Sequence, residues 1–302
     1  MAAFAVVAVS AGCGLSATGD PAADTDVVGR TEPGGQARDL TDAEQLLIQQ
    51  AEQSLIKQCM EQAGFTYLVG RLPTVDDLKG GGYVLTDVAW AKRHGYGSRL
   101  RQKLAEAQAD DPNHAYARAL PRQERVRYGK ALDGELSRDM LTAELPSGGT
   151  VRTPRRSCLA TAQGQLYGDH ETWFRVSQTA MNLTSLYAPD LVKDRRFVDA
   201  VAKWSACMGE AGHEHADPPE AREKLAELTA ALGSEAAYAI EVELAVAEAT
   251  CATRTPLART ARALQTEYRD TRLRRYGDET AAYRRMSLDA LGRAEDITGA
   301  TA

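Results

Sequence analysis

The chain has 302 residues and a formal charge of −6, from 36 Lys and Arg against 42 Asp and Glu. At about 100 to 200 residues per domain, this length fits one large domain or two ordinary ones. The charge provides no cationic field of the kind that general nucleic-acid binders use, so nucleic acid is not an expected partner. Aromatic residues are only 6% of the chain, which argues against an all-β protein and favours helices.

The first 13 residues form an apolar segment that ends in a cysteine. An uncharged apolar run over residues 2–9 is followed by Ser10, two small residues and Cys13. This pattern resembles the signal peptide of a bacterial lipoprotein, although leucine is usual where Ser10 stands and no Lys or Arg precedes the run. In that family the peptide is cut before the cysteine, and the thiol receives a diacylglyceryl group. The resemblance implies a membrane partner, because a lipid on Cys13 would hold the protein on the outer face of the cell membrane. The alternatives are a plain cleavable signal peptide, a plain buried N-terminus and a membrane-spanning segment, for which eight apolar residues fall short of the ~20 required.

The first half of the chain after this segment shows a tether and then helices. Residues 14–38 are rich in Gly, Ala, Asp, Thr and Pro and poor in apolar residues, which predicts a flexible tether. Thr41 and Glu44 form a capping-box pattern at the start of the first helix. The helical pattern breaks between 65 and 82 at a proline and three glycines. Further elements are predicted as helices near 86–95, 98–109 and 121–133, with Pro121 at the first helical position, and as a turn between two short strands at 145–150.

The second half of the chain is predicted to be almost entirely helical. Residues 257–295 contain no proline, and the middle of this stretch, 269–275, is heavily charged. Such a pattern is typical of a long solvated helix projecting from the body, or of an arm that binds a partner. We expect a first helical half over 39–188 and a second over 189–302. The other helical windows lie at about 155–167, 170–187, 190–211, 218–232 and 234–254.

A short motif, C-M-x-x-A-G, occurs twice, at 59–64 and at 207–212. In both copies it closes a stretch with apolar residues at helical spacing, so each cysteine is expected about one turn from a helix end. Gly64 and Gly212 then occupy the position where a glycine commonly ends a helix. The repeat therefore predicts two related halves.

The cysteines favour a disulfide framework. If Cys13 carries a lipid, four cysteines remain, an even set for an oxidising compartment. Four cysteines allow three pairings, and the repeated order along the chain favours Cys59 with Cys158 and Cys207 with Cys251.

A zinc site is the alternative use of these cysteines, with His213 and His215 as additional ligands. The chain contains no C-x-x-C pair, which is the feature that makes zinc signatures specific. His213 and His215 could still bind copper or zinc at the periphery, but a solvated loop after a helix end is the more common role for such a pair.

Several short motifs follow one another along the chain. They are C-M-x-x-A-G-F at 59–65, A-K-R-H-G-Y-G at 91–97, A-L-D-G at 131–134, L-Y-G at 166–168 and W-S-A-C-M at 204–208. In this order they are similar to the motifs of a group of uncharacterised actinobacterial secreted proteins and lipoproteins. The resemblance covers most of the chain from 40 to 251 and implies localisation and architecture, without a reaction, ligand or catalytic residue.

Motifs of catalysis and cofactor binding are absent from the sequence. The chain lacks G-x-S-x-G, H-E-x-x-H, G-x-x-x-x-G-K and G-x-G-x-x-G, so no catalytic residue and no cofactor is expected. Trp90, Trp173 and Trp204 could form a surface that stacks on carbohydrate, but tryptophans of helical proteins more often belong to the core.

The sequence thus predicts a mainly α, multi-helical protein of two related disulfide-stapled halves with a long C-terminal helix. The expected function is that of a non-catalytic envelope lipoprotein, which binds or scaffolds another envelope protein on the outer face of the membrane. One alternative is an extracytoplasmic ligand- or metal-binding protein. A second alternative is an enzyme without a recognisable motif.

Overall fold

A computed structural model describes residues 38–136 and 139–300 and confirms a mainly helical fold. In these two segments, no helix is both long and apolar enough to cross a membrane. A single two-stranded sheet is present in the described part of the chain. The helices are α1 (Asp42–Gln62), α2 (Val75–Leu78), α3 (Val88–His94), α4 (Ser98–Ala109), α5 (Pro112–Ala119), α6 (Arg122–Leu132), α7 (Cys158–Tyr167), α8 (His170–Met181), α9 (Ala188–Leu191), α10 (Arg195–Glu210), α11 (Pro218–Thr229), α12 (Ser234–Arg254), α13 (Leu257–Arg272) and α14 (Gly277–Thr298).

The helices form two compact units, neither of which is a continuous stretch of chain. The small unit comprises 79–96 and 184–268. The large unit comprises the other described residues, 38–78, 97–136, 139–183 and 269–300. This division differs from the expected halves, 39–188 and 189–302, at three places. Residues 79–96 and 184–188 belong with the later helices, and residues 269–300 belong with the earlier ones, because their apolar side chains pack there.

The core of the large unit is built on α1, which packs against α7 and α14. Leu47, Ala51 and Leu55 recur at helical spacing and form a buried stripe on α1. Ala290 and Ala294 of α14 are fully buried in the same cluster, where their small side chains allow close approach of the helices. The predicted capping box at the start of α1 is confirmed, since Thr41 and Glu44 each bond the other's backbone N–H.

A β-hairpin lies beside α8 in the large unit, as predicted for the turn at 145–150. The strands β1 (Met140–Glu144) and β2 (Thr150–Pro154) are antiparallel, with Leu141 opposite Thr153. Leu141 and Ala143 are buried on the face of β1 that packs against α8. The hairpin therefore covers one side of the core formed by the helices.

The small unit is organised around α12, which packs against α3, α10 and α11. Its core contains Trp90 of α3 and Trp204 of α10, which are 1% and 0% exposed. The indole Nε1 of Trp204 donates a hydrogen bond to the backbone oxygen of Glu248 at 3.2 Å. Ala245 and Ala249 of α12 are fully buried, which gives the large rings room to pack.

The long C-terminal helix is α14, and the sequence prediction for 257–295 was wrong about its continuity and its exposure. The helix is interrupted between α13 and α14 by a short 3-10 turn at Arg274–Tyr276, in the charged stretch. Leu273 is buried at this turn, and α14 packs into the large unit through its alanines. One further boundary was off by a residue, because Pro121 precedes α6 as its N-cap.

Candidate functional site

The structure confirms both favoured disulfide bonds. Cys59 and Cys158 join α1 to α7 in the large unit, with their Cα atoms 5.5 Å apart. Cys207 and Cys251 join α10 to α12 in the small unit, with their Cα atoms 5.7 Å apart. Each unit thus has its own cross-link. Because such bonds persist in oxidising surroundings, they indicate an extracytoplasmic protein.

The repeated C-M-x-x-A-G motif forms the same helix ending in both units. Its methionine, Met60 or Met208, is fully buried, and its glycine has a left-handed φ of 86° at Gly64 and 87° at Gly212. In the large unit Gly64 N–H donates to Glu61 and the next N–H donates to Met60, which is the Schellman pattern.

The second copy repeats this pattern: Gly212 N–H donates to Gly209, and His213 N–H donates to Met208. The cysteine, the methionine and the glycine of the motif therefore have structural roles: a disulfide, a buried side chain and the end of a helix. The alanine of each copy, Ala63 or Ala211, is the exposed C-cap residue of its helix.

Two sequence predictions concern Cys13 and the histidine pair. Cys13 lies outside the described residues. His213 Nε2 lies 3.8 Å from an Oε1 atom of Glu243 on α12, whereas His215 is buried and its backbone oxygen accepts a hydrogen bond from Ser205 at 2.6 Å. Burial also lowers the pKa of His215. Within 38–136 and 139–300, no group of three or more His, Cys, Asp or Glu side chains is placed to hold a metal ion.

A buried carboxylate on α12 holds the segment 79–96 in the small unit. The Glu248 side chain is 0% exposed, and Arg222 Nη2 of α11 donates to its Oε1 at 2.5 Å. The same oxygen accepts the Leu85 backbone N–H at 2.8 Å. Arg222 also donates through Nη1 to the Gly82 carbonyl at 2.6 Å, so one ion pair fixes two points of the segment.

A second buried carboxylate, Glu241, lies two turns earlier on α12. Its Oε1 accepts the backbone N–H of Tyr96 at 2.8 Å. The guanidinium of Arg222 lies 5.4 Å from the centre of the Tyr96 ring, and burial raises the pKa of the Tyr96 hydroxyl. Together the two glutamates secure the middle and the end of the segment 79–96.

The start of this segment forms one wall of a cleft, which we call the Trp90 cleft. Its lining residues include Gly80, Trp90, Ala258 and Arg262, and its volume is about 60 Å³. Gly80 has a φ of +86°, and a Cβ atom there would lie 2.5 Å from Cη2 of Trp90. Only glycine therefore lets the backbone lie directly on the indole, which shapes the cleft.

The rim of the Trp90 cleft is polar. Lys79 Nζ lies 3.3 Å from Oδ2 of Asp87, whose Oδ1 accepts the Trp90 backbone N–H at 2.8 Å as the N-cap of α3. Arg262 and Gln265 reach the cleft from α13. The arrangement places charged groups around an apolar floor, as in many sites for small ligands.

The tryptophans do not form an exposed stacking surface. Trp90, Trp173 and Trp204 are 1%, 9% and 0% exposed, so all three belong to the cores of their units. Trp173 lies between the rings of Tyr167 and Tyr283, at centroid distances of 3.5 and 5.3 Å. The more common core role is confirmed.

Sequence reasoning did not identify Glu241, Glu248 or Arg222. A signal was present on α12, because the two glutamates continue the buried stripe of Leu244 and Ala245 at helical spacing. A carboxylate within an apolar stripe indicates a buried partner.

No protein-family model, no curated protein and no solved structure matches the chain.

Proposed function

We propose that the protein is a lipid-anchored, non-catalytic binding or scaffolding protein on the outer face of a bacterial cell membrane. The cysteine inventory carries this proposal. The chain has five cysteines, and four of them form the two disulfide bonds, so Cys13 is the odd one. An unpaired cysteine in an extracytoplasmic protein needs a separate role. Its position after an apolar run and small residues fits the lipoprotein resemblance.

The expected partner is another envelope protein. A diacylated cysteine would keep the protein at the membrane surface, since two acyl chains give stable anchoring. The tether predicted at 14–38 would give the folded units reach from the surface. With no catalytic motif in the sequence, a binding role is the function that this combination favours.

The anchor is tested by expressing the full chain with its own N-terminus in an actinobacterial host. We expect the wild-type protein to partition into detergent and to carry a diacylglyceryl group on Cys13 by mass spectrometry. The Cys13→Ser variant should enter the aqueous phase, whereas Ser16→Ala, three residues away, should behave as the wild type. A wild-type protein with an unmodified thiol at Cys13 would refute the anchor.

The binding role is tested separately by cross-linking intact cells and quantifying captured envelope proteins. We expect a defined protein to be enriched with the wild type and to be depleted with Cys13→Ser, because the soluble variant loses its place at the membrane. Equal recovery from both variants would contradict a role at the membrane surface.

A second candidate function is the binding of a small ligand, which the Trp90 cleft favours. The cleft combines a buried aromatic floor with charged side chains at its rim. The histidine pair gives no comparable support for metal binding, because no third potential ligand lies close to both His213 and His215 among the described residues.

A further inference from the structure

The Trp90 cleft is rich in hydrogen-bond donors. Arg262 is exposed on α13, and its guanidinium has no ion pair or hydrogen bond with any residue that the structure describes. The backbone N–H groups of Gly80, Gly81 and Gly82 likewise donate to no other described residue. Polar groups of this kind gain most from a ligand that accepts hydrogen bonds.

The charge of the rim favours an anion. Lys79, Asp87 and Arg262 are the ionic residues that line the cleft, and together they carry a net charge of +1. Asp87 already accepts the Trp90 N–H and faces Lys79, so Arg262 is the cation left for a ligand. The planar guanidinium of arginine matches a carboxylate, to which it can donate two parallel hydrogen bonds.

The apolar floor limits the size of the ligand. Trp90, Ala258 and Ala261 are 1%, 7% and 3% exposed, and all three line the cleft. At roughly 15 Å³ for each water-sized group, a volume of about 60 Å³ holds about four such groups. A short aliphatic chain fills this space, and a longer chain would extend beyond it into solvent.

We propose that the Trp90 cleft is a binding site for small monocarboxylates of about two to four carbons. The carboxylate is bound by Arg262 at the rim, together with N–H groups of the Gly80–Gly82 loop, and the aliphatic part lies against Trp90. The inference rests on the second candidate function and is independent of the lipid anchor.

The test uses the purified full-length protein, labelled with nitrogen-15 and with its disulfides intact, titrated with sodium propionate. We expect saturable shifts of the amide signals of Gly80, Gly81 and Gly82 and of the Trp90 indole signal. Propionamide, which has the same shape without the charge, should bind at least about tenfold more weakly, because it forms no charge-assisted pair with Arg262. Octanoate should bind no more tightly than propionate, because its additional methylene groups extend beyond the cleft into solvent.

The matched variants are Arg262→Ala and Arg259→Ala, which remove two exposed arginines of α13. Only Arg262 lines the cleft, so Arg262→Ala should weaken propionate binding about tenfold or more, and Arg259→Ala should leave it unchanged. Circular dichroism should show both variants folded, because both side chains are exposed and neither forms a hydrogen bond or an ion pair with another described residue.

Three outcomes would overturn the proposal. The first is that propionate causes no saturable shift up to 50 mM, a concentration of about 50 times a millimolar dissociation constant. The second is that propionamide binds as well as propionate. The third is that the shifts map to residues outside the cleft or persist unchanged in Arg262→Ala. Each of these results leaves the lipid anchor to be decided by its own experiment on Cys13.

Discussion

Replacing Arg222 by methionine should destabilise the small unit strongly. Glu248 is completely buried, and Arg222 is its only cationic partner among the described residues. Removing one member of a buried ion pair typically costs about 3–5 kcal/mol, because it leaves the other charge buried without compensation. Arg222 is itself 26% exposed, so water already reaches its surroundings, and we expect a loss near the lower end of that range, about 3 kcal/mol.

Lys224→Met is the matched control on the same helix. Lys224 Nζ lies 2.7 Å from Glu220, so both variants remove a cation of α11 that belongs to an ion pair. The difference is burial, since Lys224 and Glu220 are 47% and 33% exposed. An ion pair at the surface contributes only about 0–1 kcal/mol, and Lys224→Met should therefore stay close to the wild type.

A second substitution tests the cause of the loss. In Arg222→Met, adding Glu248→Gln removes the uncompensated charge while keeping an oxygen that can accept the Leu85 N–H. The double variant should therefore be more stable than Arg222→Met alone, by about 1 kcal/mol or more. Urea unfolding with intact disulfides, followed by tryptophan fluorescence and circular dichroism, measures all four proteins. A double variant less stable than Arg222→Met, or an Arg222→Met loss below about 1 kcal/mol, would refute the buried-pair argument.

Three further predictions concern local stability. Replacing Cys59 and Cys158 by alanine should lower the free energy of unfolding by about 4.7 kcal/mol, and replacing Cys207 and Cys251 should lower it by about 4.0 kcal/mol. These values follow from the entropy of closing loops of 99 and 44 residues in the unfolded chain. Equal or negligible shifts in the urea midpoints would contradict this prediction. Thr41→Ala should lower the free energy of unfolding by about 1 kcal/mol, because it removes the capping box. Ser54→Ala, in the middle of α1, should lower it by less. The Arg38 guanidinium lowers the pKa of Glu44 from 4.5 to about 2, so the pair stabilises the folded chain above pH 4.5, and this stabilisation is lost as the pH falls from 4.5 towards 2. Glu44→Gln should therefore reduce the slope of the free energy of unfolding against pH between 2 and 4.5. An unchanged slope would be evidence against the pair.

Features set by neighbouring residues were predictable from the sequence. The capping box at Thr41 and the glycine stops at Gly64 and Gly212 depend on backbone groups within a few positions, so their patterns are local. The disulfide pairing was also predictable, because a repeated motif placed each first cysteine at an equivalent helix end.

The division into units was less predictable, because it depends on which apolar surfaces meet. The charged side chains of 269–275 are exposed or partly exposed, as their charge indicated, although Leu273 among them is buried. These charges carried no information about the helix that follows. Ala290 and Ala294 of α14 are small residues that could face solvent or a close helix, and only the packing on α1 decides between the two. A charged stretch between two helices was consequently interpreted as one continuous solvated helix.

The Trp90 cleft and the partners of the buried carboxylates could not be predicted from the sequence, because they depend on contacts between distant residues. Glu248 on the apolar stripe of α12 implies a buried partner, but Leu85 and Arg222, which donate to its carboxylate, lie 163 and 26 residues away in sequence. Nothing local distinguishes Arg222 from the other arginines of the chain, or marks Leu85 as the residue whose N–H is free. Arg222 and Leu85 become the partners of Glu248 only when 79–96 packs on α12. The same packing brings Gly80 onto Trp90 and forms the cleft. The substitution that weakens the Glu248 pair should therefore also weaken ligand binding in the cleft, since a single segment carries both.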